Sequence, residues 1–177
     1  MSLIVMIFSI VTGLIVEQAV PSSVFMGFAK PPVLALIVAY YALNHSVPMM
    51  LASALLGGIL SDGIGSLPPG ISPLAFAVIG AVLHHYRGTI FSGKIMTNVV
   101  FGAMIGLSMT LIVFLLLLFP GRTPFSPQFR TIFLKIAGTM IYGAVFFPVI
   151  YALLERLEML TGAGTLHRYP NDNNSDN

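Results

Sequence analysis

Few side chains in this sequence could do chemistry, and they stand at the ends of apolar runs. Asp62 lies in SDGIGSLPPG, after a stretch, Pro31–Ser61, that holds no Asp, Glu, Lys or Arg. If a helix ran Val47–Leu67, Asp62 would sit roughly 8 Å below its end at 1.5 Å per residue. An ionised carboxylate there is costly and needs a partner. The alternative is a helix that stops near Leu60, with Asp62 capping the turn of glycines and prolines that follows. A proton relay would require a second acid to continue it, and none is available. Glu17 reads as an interfacial group at the end of the first segment. His84 and His85 are adjacent, so on a helix they point about 100° apart and cannot chelate one ion as an i, i+4 pair could. With Tyr86 and Arg87 they read as interfacial, and so does His45 in the turn Asn44–Val47.

No catalytic constellation accompanies these groups. The sequence contains no G-x-S-x-G, no G-x-x-x-x-G-K-[ST], no H-E-x-x-H and no pair of carboxylates in one loop. Zero cysteines exclude disulfides, thiolate metal sites and cysteine nucleophiles. The expectation is a protein that is not an enzyme and holds neither metal nor cofactor.

The chain that must position these side chains has 177 residues, 56% hydrophobic and 8% charged, with mean hydropathy +0.94. A soluble domain carries about 25% charged residues, so this one could not cover a water-facing surface. Soluble enzymes, nucleic-acid binders and disordered chains are excluded. The first 154 residues carry +4 and the remainder −2. The pI near 9.1 therefore comes from bases in loops and does not indicate a nucleic-acid partner. The run Leu3–Val16 lacks the basic flank of a signal peptide, since the first Lys or Arg is Lys30. It reads as a retained first membrane helix.

Six apolar segments follow in order: Leu3–Val16, Val33–Leu43, Val47–Leu60, Ile71–Leu83 (reaching Tyr86 if it is to span), Thr97–Phe119 and Thr131–Leu154. Segments one and two are short against the roughly 20 residues that a span requires. All six are expected to be helices, because an unclosed strand would leave backbone groups unpaired in hydrocarbon. Pro31 and Pro32 suit a helix start, and Pro148 should kink the sixth helix. The expectation is an all-α integral membrane protein, a compact bundle of about six transmembrane helices over 1–156, with a polar, disordered tail over 157–177. Six spans place four bases on either side, so the positive-inside rule sets no orientation.

Membrane helices associate by close packing at small residues, because lipid is as apolar as leucine. Gly57, Ser61 and Gly65 form one such row on segment three; Ala54, Gly58 and Asp62 form the next. Segment four offers Ala77 and Ala81, segment five Gly102 and Gly106, and segment six Thr139 and Gly143. Each set fits packing inside one bundle or a docking face for another protein's helix. The loop Pro120–Arg130 places Phe125 and Phe129 between Arg122 and Arg130, a pattern that fits lipid contact or a partner.

The block from Ala29 to Arg87 resembles the MreD family of bacterial rod shape-determining membrane proteins. The shared features are the proline start at Lys30–Pro32, the aromatic end of the second segment at Tyr40-Tyr41, and Gly-x-x-x-Asp at Gly58–Asp62 followed by a glycine-rich turn. Pro31-Pro32 stands where the family often has Pro followed by Asp or Asn, and Pro69-Gly70 where Leu-Gly is common. The resemblance implies a scaffold subunit of the cell-elongation machinery in the bacterial cytoplasmic (inner) membrane. Its expected partner is a single-span MreC-like protein, with MreB, RodA and a class B penicillin-binding transpeptidase more distant. Partner contacts are expected at Gly58, Asp62 and Gly65. The family is also similar in overall fold to the S components of energy-coupling-factor vitamin transporters, which makes a vitamin-binding subunit the alternative reading.

Overall fold

The computed structural model describes residues 2–21, 29–65, 69–90, 95–118 and 129–160. Six helices occur among them: α1 (Ser2–Ala19), α2 (Val33–Asn44), α3 (Val47–Ile64), α4 (Ile71–Ile90), α5 (Ile95–Leu118) and α6 (Phe129–Leu160). Proline and glycine place several of the boundaries. Pro31 and Pro32 precede α2, Pro48 falls in the first turn of α3, and Gly65 ends α3 by donating its N–H to the Ser61 carbonyl at 2.8 Å. Gly70 turns the chain into α4 at φ +98, a backbone angle that L side chains rarely adopt.

Three helices are long and apolar enough to cross a membrane, over Val47–Ile64, Met96–Leu115 and Ile132–Leu160. The apolar helices Leu3–Ala19 and Val33–Asn44 are shorter. The shortness of α2 has a structural reason. Every residue from Val33 to Leu43 is buried, and α2 touches all five other helices. A helix enclosed on every side has no polar face to show as a periodicity, and its 12 residues reach only about 18 Å.

The other helices bury one side against α2 and turn the other outward. Met6, Ile10 and Leu14 of α1 are buried, whereas Ile4, Phe8, Val11 and Ile15 are exposed. Phe76, Ile79 and Leu83 of α4, Ile105 of α5 and Phe147 of α6 complete the core. Helix α6 is 32 residues long with Pro148 inside it. At about 48 Å it is longer than the roughly 30 Å hydrocarbon thickness, so in crossing a bilayer it would tilt, bend or emerge.

Two expected boundaries shift. Helix α3 ends between the two anticipated limits, at Ile64, with Asp62 in its last turn. Helix α6 continues to Leu160, beyond the expected helix end at Leu154. The cause is burial: Leu154 and Glu158 are one helical turn apart and both face inward, at 4% and 6% exposure. The loop aromatic Phe125 and the rest of the tail lie outside the described residues.

Candidate functional site

A helix shut inside protein must have its first N–H and last C=O groups satisfied without bulk water. Both ends of α2 meet this demand with side chains from other helices. At its start Pro31 and Pro32 have no N–H to satisfy, and Val33 N–H donates to the Pro31 carbonyl at 2.9 Å. Leu34 N–H donates to Glu17 Oε2 at 3.0 Å. Glu17 is thus half-buried and works as a cap on the next helix, where an interfacial group was expected.

At the other end, Asn44 Nδ2 donates back to the Tyr40 carbonyl at 3.1 Å, and His84 Nδ1 donates to the Ala42 carbonyl at 2.9 Å. Arg87 Nη1 donates to the His45 carbonyl just beyond, at 3.2 Å. A carboxylate thus caps the first turn of α2, where the helix dipole favours an acid.

The C-terminal end of α2 holds the densest polar cluster among the described residues. His45 Nε2 donates to Glu158 Oε1 at 2.7 Å, and Tyr40 OH donates to Glu158 Oε2 at 3.0 Å. Tyr151 OH donates to Asn44 Oδ1 at 3.3 Å, and the Tyr40 and Tyr151 rings meet edge to face at 5.2 Å. Both Glu158 oxygens thus accept a hydrogen bond, as a buried carboxylate requires. His45 and His84 are engaged in the bundle and are not free interfacial groups; His85 is exposed against Tyr86. Sequence reading missed this cluster because Glu158 and His45 are 113 residues apart and share no local spacing. The one available signal was an acid on the Tyr151–Leu154 face of a helix predicted to end at Leu154.

The residues expected to bind partners divide. Asp62 Oδ2 accepts from Gly70 N–H at 2.6 Å, and Oδ1 accepts from Ser72 N–H at 3.2 Å. Asp62 therefore caps α4 from the last turn of α3, repeating at this loop what Glu17 does for α2. Gly58 lies against Pro73, whose backbone a Cβ at 58 would overlap. Gly65 is exposed, and a Cβ at Gly63 would meet nothing within 4 Å.

The packing residues pair more closely. Gly102 and Gly143 face each other so tightly that a Cβ on either would overlap the other's carbonyl. Gly106 faces Thr139 in the same way, and the Thr110 and Thr139 hydroxyls lie 2.7 Å apart. Ala54 is fully buried, Gly57 packs near Val38 and Phe76, and Ser61 is half-buried. No group of three or more His, Asp or Glu placed to hold a metal occurs among the described residues. Comparisons with family models, with curated proteins and with solved structures give no match.

Proposed function

We propose that this chain is a non-enzymatic, multi-pass scaffold subunit of the bacterial cell-elongation machinery in the cytoplasmic membrane, as the MreD resemblance implies. The observation that carries the reading is the use of its carboxylates. Glu17, Asp62 and Glu158 each bond a neighbouring helix or its terminus. The polar chemistry serves to fix the shape of the bundle, which a subunit that holds other spans in register requires. A fold like that of energy-coupling-factor S components is part of the same proposal.

In this reading the partner's single span docks on the outer side of α3 near the Asp62 turn. Gly58 is taken up by Pro73, so close approach falls to Gly63 and Gly65, beside exposed Leu55, Ile59 and Leu60. The test is purification in mild detergent with co-purifying proteins identified by mass spectrometry. A single-span coiled-coil protein, lost on Gly63→Leu, supports the scaffold. Recovery of paired ATPase subunits with a second membrane subunit overturns it in favour of a vitamin transporter.

A further inference from the structure

Helix α6 has two halves with different neighbours, and Pro148 stands between them. Before it, Thr139 and Gly143 lie against Gly106 and Gly102 of α5 with no room for a Cβ, and Phe147 abuts the same Gly102. Beyond it, Tyr151, Leu154 and Glu158 share one face at helical spacing. Tyr151 reaches Asn44 at 3.3 Å, and Glu158 accepts from Tyr40 at 3.0 Å and from His45 at 2.7 Å. The second half is therefore tied to the end of α2.

Two features let it move apart from the first half. Proline has no N–H, so the Ala144 carbonyl lacks its helical donor and the helix bends more easily at this point. The side turned away from α2 also has room: Val149, Leu153 and Arg156 are exposed there around a hollow of 410 Å³. The first half, backbone against backbone with α5, is held along its seam.

The tie depends on one charge. Both Glu158 oxygens accept a hydrogen bond, and protonation would turn one of them into a donor and remove the charge that holds His45. The titratable and charged groups gathered at this end, among the described residues, come from three elements. They are Tyr40, Tyr41 and His45 of α2 and its turn, His84 and Arg87 of α4, and Tyr151 and Glu155 of α6 itself. Helices α1 and α3 carry their acids, Glu17 and Asp62, at the opposite end, and α5 has no titratable residue.

We propose that residues 149–160 form an arm hinged at Pro148, closed on α2 by Glu158 and released when Glu158 takes up a proton. Release uncovers Tyr40, Asn44 and His45 while the first half of α6 stays on α5.

The chain has no cysteine, so spin labels on Leu51→Cys of α3 and Leu153→Cys of the arm, both exposed, report the closure. Double electron–electron resonance on the full chain in lipid nanodiscs should give one distance at about pH 7.5. At about pH 4.5 a longer second population should appear, and it should vanish on return to the higher pH. Glu158→Gln, uncharged at both, should raise the longer population about fivefold at the higher pH and remove most of the pH response. Pro148→Ala, which supplies the missing N–H, should keep the arm closed in acid. A second pair across the α5 seam, Val100→Cys with Val145→Cys, should keep one distance throughout. An unchanged distance from Leu51 to Leu153 in acid, a wild-type response in Glu158→Gln or Pro148→Ala, or an equal change across the α5 seam would each overturn the proposal.

Discussion

His45 Nε2 lies 2.7 Å from Glu158 Oε1, joining the turn after α2 to the last turn of α6 with side chains 12% and 8% exposed. Removing one partner of such a pair leaves the other buried and unsatisfied, which costs more than the pair contributes. Glu158→Leu should destabilise the bundle by about 3 kcal/mol. Glu158→Gln keeps an acceptor for Tyr40 and should cost about 1 kcal/mol. Unfolding in mixed micelles compares both variants with the wild type, and wild-type stability in Glu158→Leu would show that the pair is energetically idle.

Gly102 and Gly143 bring the α5 and α6 backbones into contact, with Thr110 and Thr139 farther along the same seam. Because the chain has no cysteine, Thr110→Cys with Thr139→Cys supplies a single possible disulfide. It should form on mild oxidation, since the two hydroxyls are within 2.7 Å. Adding Gly102→Leu should prevent it by forcing the helices apart. A gel-mobility shift with and without reductant reads both outcomes.

Asp62 caps α4 from outside that helix. Asp62→Ala should cost about 1 kcal/mol, and Asp62→Asn, which keeps an oxygen acceptor, appreciably less. The loss should be local, with amide exchange rising at Gly70 and Ser72 and remaining unchanged in α2.

Two glycines of α3 should respond oppositely to the same substitution. Gly58→Ala places a Cβ on the Pro73 backbone and should cost about 1–3 kcal/mol. Gly63→Ala meets open space on a helix and should stabilise by about 0.5–1 kcal/mol. Thermal unfolding in detergent distinguishes them; a shift of the same sign for both would contradict the packing.

The six helices were legible because apolar length and proline position act locally. Val33, Val47 and Ile71 begin helices where the sequence placed them. The seams at Gly102 and Gly143 were legible as small residues, although nothing in the sequence said which helix each would meet. What could not be read was the destination of each polar group. Glu17, Asp62 and His84 all bond a different helix from their own, and hydrophobic patterning carries no information about partners across the bundle. His45 and His85 looked alike in sequence, yet one is tied to Glu158 and the other lies exposed.

The enclosure of α2 also bears on how the protein is made. Helices leave the ribosome in chain order, and α6, which covers Tyr40 and binds His45, comes last of the six. Until then the second helix has no Glu158 to receive its tyrosine and histidine, and its short apolar body stands uncovered on that side. A nascent chain stalled before Leu154 would be a substrate for membrane quality control, and release of the sixth helix would be the step that ends its exposure.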